Sequence, residues 1–170
     1  MYFLKYFYMN IEIPKIKIRN VEEADIAMMI RYRIDYLTEM QGEREASFIQ
    51  LLKVEMQGFF HKSITNGSFI ALVAEFEENA VAYGGMVLRE IPGDFNRSSY
   101  LEGDILNMYT IPTARRKGIS TLILKELLSK ARSMGVTKVA LHTSRDGEKL
   151  YRSVGFSEPL YPYLELPIEY

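Results

Sequence analysis

The sequence predicts a mixed α/β fold, one sheet with helices packed on its faces. Three observations carry that expectation. Segments with apolar residues at helical spacing alternate with segments rich in strand formers, in the order β-α-α-β-β-β-α-β-α-β. No repeat, low-complexity tract or linker interrupts them, so residues 1–170 read as a single domain. The composition, 48% apolar and 25% charged, is that of an ordinary globular chain long enough to bury a core.

The first segment, MYFLKYFYMNIEIP, is aromatic and apolar. Lys5 breaks its apolar run, and it has no basic start and no small-residue cleavage site. It is also shorter than the roughly 20 residues a membrane span needs. It reads as an N-terminal arm or strand over 1–14, packed on the domain or on a partner subunit, in a cytoplasmic protein. KIKIRN (15–20) alternates as a short strand. In VEEADIAMMIRYRIDYLTEM, Ile26, Met29, Ile30, Arg33 and Leu37 fall at helical spacing, behind acidic residues that suit the positive end of a helix. A second helix, about 46–64, carries Phe48, Leu51, Leu52, Met56 and Phe59.

SFIALVAEF and AVAYGGMVLRE are two strands whose EENA connection predicts a hairpin. SSYLEGDILNMYTIP is a further strand, closed by Pro112, which has no N–H for a ladder. A helix then runs to Met134, with Leu122, Ile123, Leu127, Leu128, Ala131 and Met134 on its apolar stripe and Gly135 at its C-terminal cap. VTKVALHTS is a strand. DGEKLYRSVGF is a short helix, with Asp146 as its N-cap and Gly155 as its stop. YPYLEL ends the chain as a strand.

Composition also bounds function. The formal net charge is −1, so nothing draws the whole chain toward nucleic acid or a membrane surface. Without cysteine there are no disulfides, no thiolate catalysis and no thiolate zinc site. His61 and His142 are far apart in sequence and no HExxH occurs, so no metal is expected.

One stretch breaks the even charge pattern. In NMYTIPTARRKGISTLILKELL the cations Arg115, Arg116 and Lys117 precede Gly118, and a helix follows at once. The first N–H groups of a helix have no internal acceptor and its dipole makes that end positive, so such a turn suits phosphate. Gly118 removes a Cβ that would hold an oxygen away from the backbone. Neither GxxxxGK[ST] nor GxGxxG is matched. Read from these residues alone, the turn is either a phosphate cradle or a solvated basic cap on a helix.

At this turn the sequence resembles the GNAT superfamily of acyl-CoA-dependent N-acyltransferases. That family carries [QR]-x-x-G-x-[GA] between its fourth strand and third helix, and Arg115, Arg116, Lys117, Gly118, Ile119 and Ser120 fill those positions, with Ser120 in place of glycine or alanine. Upstream, LNMYTIP looks like the family's fourth strand and its proline. Downstream, LYRSVGF resembles the helix of its second motif, with a tyrosine four residues before Gly-Phe. The resemblance spans roughly 16–166 and agrees with the element order.

The resemblance implies a mostly antiparallel sheet of six to seven strands with about four helices, splayed between the fourth and fifth strands. It implies acetyl-CoA as co-substrate, its pantetheine bonded to main chain of Met108 and Thr110 and its pyrophosphate on Arg115 to Ser120. The backbone N–H near Met108 or Tyr109 would polarise the thioester carbonyl. Tyr151 matches the tyrosine that protonates the departing thiolate, and Ser144 falls where many relatives carry a cofactor-contacting asparagine. A thiol near pKa ~8.5 and a phenol near ~10 make that proton transfer roughly balanced. Asp104 falls near a catalytic carboxylate of some relatives and is the candidate general base, with Glu102 as its neighbour of the same facing. His142 reads as a strand residue.

Acceptor binding would fall to the first two helices and their connection, where Arg31, Arg33 and Glu39 supply charge and Tyr32 and Tyr36 aromatic surface. A small amine carrying a carboxylate, a polyamine-like cation and a peptide N-terminus all remain open as acceptors. A homodimer is the assembly the resemblance suggests. The rival readings are an acyl-CoA sensor without activity, a nucleic-acid-contacting protein using Arg115 to Lys117, and a structural subunit.

Overall fold

The computed structural model describes residues 11–168. Its elements are β1 (Lys17–Asn20), α1 (Ile26–Gln41), α2 (Ala46–Thr65), β2 (Phe69–Phe76), β3 (Asn79–Asp94), β4 (Arg97–Thr110), α3 (Ile119–Ser133), β5 (Val136–Leu141) and α4 (Arg145–Ser153). The fold is mixed α/β. Five strands form one sheet in the order β1-β2-β3-β4-β5, antiparallel except for the parallel pair β4 and β5.

Strand alternation sends side chains to two cores. Ile70, Leu72, Met86, Leu88 and Ile105 pack on one face with Ile119, Ile123, Leu124 and Leu127 of α3. Phe69, Ala71, Tyr83 and Tyr109 pack on the other face with Ile26, Met29 and Ile30 of α1 and Met56 and Phe60 of α2. Arg19 joins β1, β2 and the turn before α1 by pairing with both Asp25 and Glu75. Hydrogen bonds from Arg19 hold the Asp25 carboxyl below the usual range.

Several details differ from the sequence expectation. The EENA connection is the hairpin expected, but its loop is only Glu77 and Glu78, both at positive φ, 49° and 64°, as a two-residue turn matching strand twist requires. In α2 the expected stripe is shifted. Met56, Phe60 and Ser63 are buried, whereas Phe48 and Leu51 are 55% and 58% exposed, because only the C-terminal half of the helix lies on Phe69. In α3, Met134 is likewise exposed, beyond the helix end that Gly135 closes at φ 80°. The cap of α4 is Ser144, whose Oγ accepts the Gly147 N–H at 3.2 Å, rather than Asp146 in the first turn.

YPYLEL does not form a strand among the described residues, so the sheet has five strands where six to seven were expected. Pro162 removes a ladder donor near the start of that segment and Pro167 follows it directly, and Tyr161, Tyr163, Leu164 and Leu166 stay exposed. Residues 1–10 of the expected N-terminal arm lie outside the described residues. Beyond them, Ile11 is buried in the α3-side core and Ile13–Lys15 is a 3-10 turn.

Candidate active site

The two parallel strands part company halfway. The β4–β5 ladder ends at Ile105 with Leu141, while β4 continues to Thr110, so its last residues have one open edge. At the same place the β3–β4 register slips: Met86 pairs with Ile105 but Gly85 with Asn107, leaving Leu106 as the extra residue of a bulge. The slip changes facing parity along β4. Leu101 and Ile105 face α3 before it, and Met108 does so after it. Asn107 and Tyr109 turn toward α1, where Arg33 and Glu39 meet them.

Register then decides which backbone groups are free. Ile111 donates to the Val81 carbonyl at 3.0 Å, so Tyr109 and Asn107, two and four residues earlier, make the hydrogen-bonded pairs with β3. The N–H and C=O of Met108 and the N–H of Thr110 therefore point to the open edge. The sequence left Met108 and Tyr109 as equal candidates for polarising a carbonyl. The ladder engages the Tyr109 N–H and leaves that of Met108.

Beyond Thr110 the chain turns through Pro112–Ala114 into α3. Arg116 takes φ 62° and Gly118 φ 81°. A left-handed non-glycine residue costs on the order of 1 kcal/mol and is kept where its geometry is used. Here it gathers the N–H groups from Arg116 through Thr121 into a concave rim. Among the described residues none of them has an acceptor, and the first helical bond is Leu122 N–H to Gly118. Successive amides in such a nest, at a helix N-terminus, form an anion cradle. Arg116 and Lys117 flank it, and Ile119 is buried beneath it.

The Ser120 hydroxyl lies 2.9 Å from that of Thr110, which binds the start of α3 to the end of β4. Serine in place of glycine or alanine thus has an internal partner. Arg115 is directed elsewhere. Its Nη2 holds both oxygens of Glu39 at 2.7 and 2.8 Å, its Nε donates to the Thr110 carbonyl at 2.9 Å, and its guanidinium stacks over Tyr109. It ties the end of α1 to the cradle rather than pointing into it. Burial and the neighbouring Glu39 raise the Tyr109 phenol to about 12.

Tyr151, on α4, is half-buried against the α3-side core and packed edge-on against Phe156, with ring centroids 5.8 Å apart. Burial pushes its phenol up to about 12, with a smaller contribution from Tyr36 of α1. The two hydroxyls are therefore within electrostatic reach across the gap. Ser144 lies at the same end, its hydroxyl engaged as the α4 cap. Asp104 projects from the α1 face of β4, one pair short of the opening, in a charge ladder with Arg89 at 3.3 Å. Glu102 shares that facing and binds Arg89 and Lys138. His142, just past β5, is exposed beside Glu165.

The five acceptor-side residues named from sequence separate. Tyr36 lies within electrostatic reach of Tyr151, and Glu39 is held by Arg115. Tyr32 is 3% exposed and donates to the Ala80 carbonyl at 2.5 Å, a core role. Arg31 stacks on Tyr32 and lines a groove of about 620 Å³ between α1 and α2, with Ile34, Asp35, Lys53 and Val54. That groove is lined by side chains of α1 and α2 and contains none of the unpaired backbone groups of β4 and the turn after it.

The sequence placed Arg33 on the charged acceptor rim without a partner and offered no role for Asn107. The signals were an arginine on the apolar stripe of α1 and an asparagine inside an apolar strand.

Comparison with known proteins agrees with this geometry. The family model described as the acetyltransferase (GNAT) family matches residues 30–156. A predicted acetyltransferase from Clostridium acetobutylicum, solved with acetyl-CoA, superposes with a TM-score of 0.78 at 25% identity, over 89% of this chain and 96% of that one. A GCN5-related N-acetyltransferase from Ralstonia eutropha gives 0.76 at 22%, over 90% and 98%. Glucosamine-6-phosphate N-acetyltransferase from Arabidopsis thaliana gives 0.63 at 21%, over 89% and 97%. These last two speak for the fold. No curated protein matched the chain in sequence. The family model runs from α1 past the end of α4, through every element that builds the opening, and the chain belongs to the GNAT family of acetyltransferases.

Proposed function

We propose that the protein is an acetyl-CoA-dependent N-acetyltransferase that acetylates a primary amine of a small molecule or peptide by direct attack within a ternary complex. The observation that carries this reading is the continuity of two sets of unpaired backbone groups. The free edge at Met108 and Thr110 runs into the amide cradle of Arg116 to Thr121. A chain of amides ending in a diphosphate fits such a surface as an added strand followed by an anion. The donor bound by the Clostridium relative points the same way.

When bound, the donor supplies a thioester whose carbonyl carbon the amine attacks, forming C–N and breaking C–S. The Met108 N–H lies along the edge to receive the negative charge gathering on the carbonyl oxygen. Tyr151 donates its hydroxyl hydrogen toward the departing sulfur. At about 12 its phenol stays protonated at neutral pH, so it serves as a donor and not as a base. That value also revises the balance expected from an ordinary phenol. Full transfer to a thiolate near pKa ~8.5 runs uphill, so hydrogen bonding to the sulfur is the larger part of its role. Asp104 is the candidate acceptor of the amine proton. Glu39 and Arg115 lock α1 against the cradle, and Arg116, Lys117 and Ser120 complete its rim.

In this reading the protein works in the cytoplasm, as a homodimer, on an amine and not on nucleic acid. Among the described residues no helix is long and apolar enough to cross a membrane. Calorimetric titration with acetyl-CoA, CoA and ATP, followed by thiol release over an amine panel, tests the proposal. Saturable binding of the first two and turnover of some amine is the expected result. Binding without any product would make the chain a sensor, and no binding in a folded sample would end the acyl-CoA reading.

A further inference from the structure

Arg33 lies on the stripe of α1 that Ile26, Met29 and Ile30 give to the core. A guanidinium there needs acceptors, and it finds two at the β4 bulge. Its Nη1 donates to Asn107 Oδ1 at 2.6 Å and to the Leu106 carbonyl at 3.2 Å. Among the described residues its Nε and Nη2 have no partner.

The groups around it are also unmet. Asn107 is 5% exposed and its Nδ2 has no acceptor. Tyr83, one residue pair along the same face, is fully buried and its hydroxyl has no partner. Arg33 acts electrostatically on that phenol. A buried polar group left unpaired costs about 1–3 kcal/mol, and native chains seldom leave two together without use. What the three share is unused donors: the free arms of Arg33, Asn107 Nδ2 and the Tyr83 hydroxyl. A guanidinium and an amide nitrogen can only donate, and a phenol donates readily to a charged oxygen.

We infer that this cluster, at the mouth of the β4–β5 opening, binds a carboxylate carried by the acceptor, so the substrate class is an amino acid or a similar amine bearing a carboxylate. The inference rests on the transferase reading above and narrows it. The charge favours a monoanion. Arg31 is turned onto Tyr32 and Arg115 is held by Glu39, so one guanidinium is available at the bulge, whereas a phosphate dianion is better matched by two cations. Arg33 makes the direct ion pair through its free arms. Asn107 fixes the guanidinium by Oδ1, and the sealed donors of Asn107 and Tyr83 are left for an oxygen that enters the cluster.

The test uses acceptors that differ only at that group: amino acids, their carboxamides, the decarboxylated amines, and aminoethyl phosphate as a second kind of anion. Thiol release from acetyl-CoA gives kcat/KM, and calorimetry on the same samples gives the acetyl-CoA Kd. A charge-assisted contact corresponds to a preference of about 10- to 100-fold for the acid over its carboxamide. Arg33→Gln is expected to remove that preference while leaving the acetyl-CoA Kd unchanged. Asn107→Asp keeps an acceptor for Arg33 and nearly the same volume but adds a negative charge, so it should reverse the preference toward the uncharged acceptors. Equal use of acid and carboxamide, a preference for the bare amine or the phosphate, or a preference that survives Arg33→Gln would overturn the inference. A flat acceptor profile with intact cofactor binding and turnover defeats this inference alone. Failure to bind acetyl-CoA defeats the transferase reading beneath it.

Discussion

Tyr151 illustrates how a residue legible in sequence acquires its chemistry only from its surroundings. Its spacing to Gly155 and Phe156 marks it out, but the shift of its phenol to about 12 comes from burial at the end of α4 and from Tyr36 across the gap. Tyr151→Phe is expected to lower kcat about 100-fold, the lower end of what a positioned proton donor contributes, with the acetyl-CoA Kd nearly unchanged. Because the folded phenol loses its proton only near pH 12, Tyr151 should impose no alkaline fall in the wild-type rate below about pH 11. A kcat profile from pH 6 to 10.5, compared between wild type and Tyr151→Phe, checks this; an alkaline limb present only in wild type would refute it. Other residues gave fainter signals. Arg33 was visible as a cation at an apolar position and as part of a charged rim, and Asn107 as a poor strand former in an apolar strand. The polar cluster they make depends on a one-residue bulge that periodicity does not predict.

Among elements, β3 and β4 set the geometry of the site. Gly84 and Gly85 let side chains pack close over both faces of β3. A Cβ on Gly84 would meet the sulfur of Met108 and Ile123 of α3, and one on Gly85 would meet the Phe69 ring. Gly84→Ala is therefore expected to cost about 1–3 kcal/mol, the usual range for overpacking a dense core, and to weaken acetyl-CoA binding by moving Met108 at the open edge. Urea denaturation with calorimetry would check both, and an unchanged midpoint would show that Met108 yields freely. The existence and order of the elements were legible because amphipathic period survives tertiary packing. The exposed face of α2, the Ser144 cap and the end of the β4–β5 ladder were not, since each depends on which neighbour the element meets.

The whole molecule is two cores on either side of one sheet, closed by α1 and α2 on one face and by α3 and α4 on the other. Residues 159–168 lie outside that arrangement, with Leu160, Leu164 and Leu166 each more than four-fifths exposed. Ending the chain at Glu158 preserves the Arg152 ion pair with Glu158 and the packing of Phe156 on Tyr151. The melting temperature is therefore expected to stay within about 2 °C of the full chain, no more than the shift that about 1 kcal/mol produces in a domain of this size. A larger fall in a thermal scan would mean that the segment contributes to the fold. By itself, the sequence determined the fold class, the order of elements, the basic glycine turn and the tyrosine of α4. Periodicity, capping and short motifs are local properties that neighbouring residues carry together. Only the tertiary structure decided that Met108 rather than Tyr109 offers its N–H, that Arg115 is held by Glu39, and that Arg33 meets Asn107 at the bulge while Asn107 Nδ2 and the Tyr83 hydroxyl stay without a partner. Those facts follow from strand register and from contacts between residues far apart along the chain, which no local pattern encodes.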